Sequence, residues 1–299
     1  MYSRVVCVLL QAQIDRLAAP KSDYGITLES ERPSILPIQH SLVIVHLSEG
    51  EKIRALIIAA GRGERLRPFT DKEPKPLISL LGSRLIERVI LSAKGTGIEE
   101  FTVVTGYLGR EIMKFLGDGS RYDVKIEYVE NGLWRKGNGV SVYEAAKLLD
   151  ERFVLLMSDH IFNPEILSEL KKCELGEEEC ILCVDKGMRC VLDMDDATKV
   201  KVVDRKIVDI GKGLREYNGV DMGIFLCSPY IFEVLKRNIG NGRYSLTETI
   251  RELARERKMK AYCIDDGERY WIDIDTFQSL KIAQKMLLAY GADSKELRT

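Results

Sequence analysis

A glycine turn followed by an isolated lysine suits phosphate chemistry. Residues 56–68, LIIAAGRGERLRP, pass from apolar residues into a turn with Gly61, Gly63 and Arg65, and Lys75 follows between two prolines. Because glycine lacks a Cβ, the backbone N–H groups of such a turn can approach a triphosphate closely. Arg65 offers a planar fork for phosphate oxygens, and the flanking prolines hold Lys75 in an extended backbone. These features predict a site for β- and γ-phosphates.

Other phosphate-binding loops fit this stretch less well. A dinucleotide-binding turn requires G-x-G-x-x-G, but Leu66 occupies the third glycine position, and the Walker A pattern G-x-x-x-x-G-K-[ST] is absent. An isolated G-x-G would indicate no more than a solvated cationic loop after a core strand. The longer combination AAGxGxRLxP, followed by PKPL, is far more specific than G-x-G.

Two aspartates could hold a cation. Asp159 follows the apolar run FVLLMS and Asp273 follows YWI. The carboxyl ends of parallel strands face one crevice, so these carboxylates should meet there and repel unless one protonates or a metal binds. Hard oxygen ligands beside phosphate suit Mg²⁺, which we therefore predict at Asp159 and Asp273. Either aspartate could instead cap a turn, and Asp273 with Asp275 could form a solvated turn.

Three other residue types have simpler interpretations. We interpret His160, which follows Asp159 directly, as a local hydrogen-bonding residue. A zinc site is conceivable at Cys173, Cys180, Cys183 and Cys190. However, Cys180 and Cys183 lie three apart in a strand-like run and should face opposite sides, which favours core cysteines. Trp134 could stack on a base, or lie in a loop or an interface.

Strand-like and helix-like runs alternate from Ile53 onward and would position these residues. Strands are predicted at RALIIAA, FTVVTG, VKIEYVE, RFVLLMSD and ECILCVD, and helices at RLIERVILSAK, SVYEAAKLL and PEILSELKK. The alternation predicts an α/β fold with a doubly wound, mostly parallel, Rossmann-like mixed sheet. TKVKVVDRKIVDI breaks the rhythm and predicts a β-hairpin insertion that turns at Asp204 and Arg205. Ser245 and Glu248 predict a capping box at a later helix.

Composition limits the class of protein. The chain has 45 Lys+Arg, 46 Asp+Glu and a net charge of −1, which argues against nucleic-acid binding and against a polybasic membrane surface. The sequence shows no long apolar run and no recognisable secretory leader, and its cysteines are thinly spread. We therefore expect a cytoplasmic protein without membrane insertion. A charged fraction of 30% is typical of thermophiles. Residues 1–50 leave the strand–helix rhythm, and we interpret them as an N-terminal extension of unknown role.

The glycine turn and PKPL resemble the signature of the sugar-phosphate nucleotidyltransferase family, with Glu64 where the family often has Thr or Ser. The resemblance covers about residues 53–290 and continues through VVTGY, ENGLWRKGNGVSVYEAA, FVLLMSDHIF, VDMGIFLCSP and YWIDIDTFQSLKIAQKML. Within the family, GNGVSVYEA, MSDHIF, DATKVKV, IGKGLREYNGVDMGIF and WIDIDT look most like the CTP:L-myo-inositol-1-phosphate cytidylyltransferases. This resemblance makes residues 51–299 a nucleotidyltransferase catalytic domain.

The resemblance also implies a reaction and roles for individual residues. CMP would pass from CTP to L-myo-inositol-1-phosphate by in-line attack on the α-phosphate with Mg²⁺, giving CDP-inositol and pyrophosphate. Arg65, Lys75 and Asp159 would be catalytic, and Asp159 and Asp273 would be the metal ligands. The nucleotide would contact Ala59, Ala60, Gly61, Gly63, Gly106, Asn138, Gly139 and Ser141. The phosphorylated polyol would contact Asp185, Lys212 and Asp221.

Two alternatives stay open at this point. The first is a hexose-1-phosphate or phosphocholine nucleotidyltransferase, since the residues alone do not fix the base or the acceptor. The second is a non-catalytic regulatory subunit of the same fold, although the presence of Arg65, Lys75, Asp159 and Asp273 favours an enzyme. The resemblance further implies osmolyte synthesis, in which a membrane-bound synthase on a separate chain would use the product. A homodimer is also left open.

Overall fold

The structure is a computed structural model that describes residues 52–188, 191–265 and 267–296, with side chains up to residue 290. Its strands are β1 Arg54–Ala59, β2 Ser79–Leu80, β3 Ser83–Arg84, β4 Glu100–Thr105, β5 Lys125–Glu130, β6 Phe153–Met157, β7 His160–Phe162, β8 Cys180–Asp185, β9 Lys199–Val203, β10 Lys206–Gly211, β11 Gly219–Cys227, β12 Met259–Ile264 and β13 Trp271–Asp273. Its α-helices are α1 Leu85–Lys94, α2 Gly109–Leu116, α3 Asn138–Glu144, α4 Pro164–Lys171, α5 Tyr230–Gly240, α6 Leu246–Arg255 and α7 Phe277–Glu296.

A mixed sheet of nine strands, counted over the described residues, has the order β5-β4-β1-β6-β11-β8-β12-β10-β9. Strands β5, β4, β1 and β6 pair in parallel, and β8 pairs in parallel with β12. Strand β11 runs antiparallel to both of its neighbours, β6 and β8. The predicted fold class, a mostly parallel doubly wound sheet with a hairpin insertion, is therefore confirmed.

Hydrophobic residues cover both faces of this sheet. In β1, Ala55 and Ile57 belong to the cluster that includes apolar residues of α1, α2 and α4, whereas Leu56 and Ile58 belong to the cluster on α3, α5 and α6. Successive side chains of a strand point to opposite faces, so a strand buried on both sides must be apolar throughout. Burial on both faces therefore explains the uninterrupted apolar run in β1.

The cysteine pattern agrees with a core role. Cys183 packs in the first cluster, beside α1, α2 and α4, and Cys180 packs in the second cluster, beside α3, α5 and α6. The two side chains therefore face opposite sides of the sheet. Both are buried, and the described cysteines are free thiols. Cys190 lies outside the described residues. The interpretation as core residues is confirmed for Cys180 and Cys183, whereas Cys173 is only partly buried against the first cluster.

Local sequence signals also hold at two other places. Asp204 and Arg205 adopt φ values of 47° and 59° between the antiparallel strands β9 and β10, which is the geometry of a tight hairpin turn. Ser245 and Glu248 form the predicted reciprocal capping box at the start of α6. Over the part of the chain that the structure covers, no helix has the length and apolar character needed to cross a membrane.

The predicted extension, residues 1–50, lies outside the described residues. We propose that residues 51–299 form a domain that folds by itself, since the chain from Lys52 onward is a compact unit. A protein that begins at Glu51 should unfold cooperatively within about 4 °C of the full chain, a shift that corresponds to about 1 kcal/mol for a domain of this size. Circular dichroism during heating measures this, and a non-cooperative or insoluble product would show that the first residues belong to the core.

Candidate active site

A two-stranded sheet brings the two predicted metal ligands together. Strands β7 and β13 pair antiparallel with His160 opposite Asp273, and the carbonyl oxygen of Asp159 accepts a hydrogen bond from the N–H of Ile274 (3.1 Å). Strand β7 follows β6 after the turn that contains Asp159. Residues far apart in the sequence therefore lie side by side next to the end of a parallel strand, where ligands of open α/β sheets bind.

The side chains of Asp159, His160 and Asp273 form a cluster that could hold a metal ion. Their ligand atoms all lie within 4.8 Å of one another. Oδ1 of Asp273 is buried without a hydrogen-bond partner among the described residues, and burial, with a contribution from Asp159, raises the pKa of Asp273 to about 7. An unpaired buried carboxylate oxygen is costly, and a cation would satisfy it. The donors present therefore fit a divalent cation.

A bulge in β11 fixes the orientation of His160. The Nδ1–H of His160 donates a hydrogen bond to the carbonyl oxygen of Met222 (2.8 Å), as expected of a local hydrogen-bonding residue. The pairing register of β11 with β8 shifts between Asp221 and Phe225, and Gly223 within this bulge has a φ of 68°. A Cβ on Gly223 would lie 2.4 Å from His160 Nδ1, so glycine leaves room for the ring.

Lys75 is buried beside this cluster. Its Nζ forms ion pairs with Asp159 and Asp275, and only 6% of the residue is exposed. Burial alone would lower the pKa of Lys75, but the carboxylates of Asp159, Asp273 and Asp275 raise it well above its usual value. Gly63 has a φ of 68°, and a Cβ there would lie 2.7 Å from Lys75 Cβ. The glycine turn therefore packs directly on the lysine stem.

Two further cations share one carboxylate. Arg65 forms ion pairs with Asp196 and Asp275, and Lys212 Nζ lies 2.5 Å from Asp196 Oδ1. Burial opposes the charge on Arg65, but Asp275 and Asp196 raise its pKa overall. The sequence interpretation did not single out Asp196, and it named Asp275 only in the alternative of a solvated turn with Asp273. The i, i+2 spacing of Asp273 and Asp275 was an available signal, because in extended chain such residues share a face.

A cavity of about 250 Å³ lies beside the cluster. Five predicted site residues line it: Arg65, Asn138, Lys212, Asp221 and Asp273. Apolar side chains, including those of Met157, Leu192 and Phe225, form other parts of the wall. Burial raises the pKa of Asp221 to about 6, although its Oδ1 accepts a hydrogen bond from the N–H of Gly223 (2.7 Å). The cavity thus combines apolar walls with charged groups, as small-molecule sites do.

Two predicted ligand contacts correspond to internal hydrogen bonds in the structure. Asp185 accepts hydrogen bonds from Trp271 Nε1 (2.9 Å) and from the N–H of Met188 (2.8 Å), and it is not among the described residues that line the cavity. Ser141 is buried, and its Oγ accepts a hydrogen bond from Asn131 Nδ2 (2.9 Å). We therefore propose that Asp185 holds Trp271 in place and that Ser141 supports the start of α3, while their contacts with ligands stay predictions.

The glycines of the predicted nucleotide loops serve close packing. The N–H of Gly139 donates to the carbonyl of Tyr244 (3.0 Å), and a Cβ on Gly139 would lie 2.7 Å from that oxygen. A Cβ on Gly106 would lie 2.8 Å from the carbonyl oxygen of Ala60 and from Trp134 Cβ. Ala59 and Ala60 are buried, whereas Gly61 is exposed with open space at its Cβ position. Gly61 thus leaves its backbone open to a phosphate group, and the nucleotide contacts of the other residues stay predictions.

Comparisons with known proteins agree with the geometry. A family model described as Nucleotidyl transferase matches residues 54–187. The chain is 34% identical over 247 residues to the bifunctional IPC transferase and DIPP synthase of Rubrobacter xylanophilus, covering 82% of this chain and 54% of that protein. It is 31% identical over 236 residues to the protein of the same name from Aquifex aeolicus, covering 78% and 51%. The chain thus spans about half the length of these relatives.

A solved structure shares the fold over nearly its whole length. The inositol-1-phosphate CTP transferase from T. maritima matches with a TM-score of 0.68 and 26% sequence identity. The match covers 80% of this chain and 97% of that chain. The similarity therefore extends beyond residues 54–187 to the strands and helices that follow.

The contact between Gly223 and His160 predicts a measurable loss of stability. Gly223→Ala should lower the free energy of unfolding by about 2–4 kcal/mol, the sum of left-handed backbone strain and overpacking against the imidazole. Gly242→Ala is the matched control, because Gly242 has a φ of 75° but no described atom lies within 4 Å of its Cβ position. It should cost only about 1 kcal/mol. Urea denaturation measures both, and equal losses would contradict the steric role of Gly223.

Proposed function

Since the chain belongs to the nucleotidyl transferase family through residues 54–187, we propose that it transfers CMP from CTP to L-myo-inositol-1-phosphate, releasing CDP-inositol and pyrophosphate. The convergence of Lys75, Asp159 and Asp273 beside the glycine turn is the observation that carries this proposal. The names of the relatives and of the T. maritima structure support cytidine as the base and an inositol phosphate as the acceptor.

The reaction needs alignment and charge neutralisation more than proton transfer. A phosphate monoester attacks the α-phosphorus in line, and negative charge develops on the departing pyrophosphate. Arg65 and Lys75 would neutralise that charge, and Lys212 on the cavity wall would bind the acceptor phosphate. In the ligand-free protein these cations pair with Asp196, Asp275 and Asp159. Substrate phosphates would replace part of this pairing.

Asp159 and Asp273 would hold Mg²⁺, for which Oδ1 of Asp273, without a hydrogen bond from the described residues, provides an oxygen ligand. When bound, such an ion supplies positive charge to phosphate oxygens in the transition state. Lys75 lies between Asp159 and Asp275, so its ammonium reduces the repulsion among the three carboxylates. Asp221 lines the same cavity, where it would accept a hydrogen bond from an acceptor hydroxyl.

A pyrophosphate-release assay tests the substrate assignment. CTP, UTP, dTTP and ATP are each combined with inositol-1-phosphate, glucose-1-phosphate, mannose-1-phosphate and phosphocholine in the presence of Mg²⁺. We expect the highest kcat/KM for CTP with inositol-1-phosphate. A preference for UTP or dTTP with glucose-1-phosphate would contradict both the base and the acceptor. The absence of release with every pair would favour a regulatory subunit of the same fold.

Lys75 should affect turnover and not only nucleotide affinity. Its loss removes a charge-assisted contact that strengthens in the transition state, so Lys75→Ala should reduce kcat about 30- to 1000-fold, or about 2–4 kcal/mol. Lys72→Ala is the matched control, because Lys72 is an exposed lysine three residues earlier. It should leave kcat within about twofold. If Lys75→Ala only raises the KM for CTP while remaining folded by circular dichroism, Lys75 binds substrate and transition state equally.

A further inference from the structure

The cation site contains a nitrogen donor in addition to its two carboxylates. His160 Nε2 lies 3.6 Å from Asp273 Oδ1 and 3.8 Å from Asp159 Oδ1. Bonds from a metal ion to nitrogen or oxygen ligands are about 2.1 Å long, so two donors on one ion lie at most about 4.2 Å apart. Both separations fall inside this limit. The ligand atoms of all three side chains lie within 4.8 Å of one another, so a single ion could contact all three after a small movement of the two carboxylates.

The surroundings leave the required atoms available. Lys75 pairs with Asp159 through Oδ2, so that Oδ1 of Asp159 stays on the side of His160. Asp273 Oδ1 is buried and lacks a hydrogen-bond partner within the described residues. Each of the two carboxylates thus directs one oxygen towards the imidazole.

The imidazole itself is held in the tautomer that a metal ligand needs. A carbonyl oxygen can only accept a hydrogen bond, so the 2.8 Å contact with Met222 requires the proton on Nδ1 of His160. In the neutral ring, the lone pair is then on Nε2, which faces the carboxylates. A backbone carbonyl on the second ring nitrogen is the usual support of a metal-bound histidine. Gly223 provides the space that this ring position requires.

We propose that His160 is a third protein ligand of the cation site, and that it makes the site bind Mn²⁺ or Co²⁺ in preference to Mg²⁺. Imidazole nitrogen is a good ligand for first-row transition ions, whereas Mg²⁺ prefers oxygen ligands throughout. With the imidazole as a ligand, the site should discriminate against Mg²⁺ and in favour of Mn²⁺ or Co²⁺ more strongly than the two carboxylates would alone. The inference rests on the proposed function, because it assumes that Asp159 and Asp273 hold the catalytic cation.

Electron paramagnetic resonance of Mn²⁺ bound to the full chain tests the assignment. The protein carries ¹⁵N-labelled histidine, and CTP is present without an acceptor so that the nucleotide can supply further oxygen ligands. The chain has three histidines, His40, His46 and His160. A His40→Gln, His46→Gln variant therefore leaves His160 as its single labelled residue. We expect histidine ¹⁵N coupling to Mn²⁺ in the wild type and in this double variant, and no coupling in His160→Gln.

Affinities provide the second measurement. Titration calorimetry should show that His160→Gln raises the Kd for Mn²⁺ by roughly tenfold or more, while the Kd for Mg²⁺ changes much less. Mn²⁺ binding without histidine coupling, or an unchanged ratio of the two Kd values in His160→Gln, would overturn this inference and leave the proposed function intact. If the wild type binds neither ion and its turnover does not require one, the cation site of the proposed function fails as well.

Discussion

Burial of Lys75 among three carboxylates is the interaction on which the rest of the site depends. An ammonium group taken out of water is expensive unless several acceptors surround it, and carboxylates gathered together repel unless a cation separates them. The buried ammonium group therefore requires the carboxylates, and the carboxylates require the ammonium group. The ion pairs of Lys75 explain why three segments fold against one another. These are the lysine between two prolines, the turn before β7 and the residues after β13.

The main sheet provides the rigid support for this charge cluster. Strands β1 and β6 are buried on both faces and end beside the site, where the glycine turn and Asp159 follow them. The reversed strand β11 adds a second support, because its bulge presents the Met222 carbonyl to His160. Ordinary strand pairing thus positions the residues of the site. Gly223, with its left-handed backbone conformation, permits the bulge that interrupts this pairing in β11.

Local sequence patterns predicted most of the fold because each has a local physical cause. Apolar runs indicated the doubly buried strands, the reciprocal pair Ser245 and Glu248 indicated a helix start, and the rhythm around Asp204 and Arg205 indicated a hairpin. Helix α2 was not anticipated, although its buried residues Gly109, Ile112 and Leu116 have helical spacing. It has only eight residues, so its periodic signal is weak.

The candidate site was only partly predictable for a different reason. Asp159, Asp273 and Lys75 follow strong local signals, namely strand ends and paired prolines. The extended backbone predicted for Lys75 was wrong, because Lys75 begins the short 3₁₀ helix Lys75–Leu77. The partners of Arg65 and Lys212 do not follow such local signals, because Asp196 lies in a connection between β8 and β9 whose path depends on tertiary packing. Likewise, Asp185 bonds to Trp271 and Ser141 bonds to Asn131. Both hydrogen bonds depend on the tertiary structure, so the sequence around each residue does not predict them.

Pairing between the short strands β7 and β13 has a consequence for how the site is lost. Each strand has three residues, so few ladder hydrogen bonds join them, and most of what opposes their separation is the burial of Ile161, Phe162, Trp271 and Ile272 in apolar clusters. Separation of this one ladder would pull Asp273 away from Asp159 and would expose those apolar side chains at the same time. The geometry of the site is therefore tied to the apolar packing beneath this ladder, and the carboxylates part only where that packing is also lost.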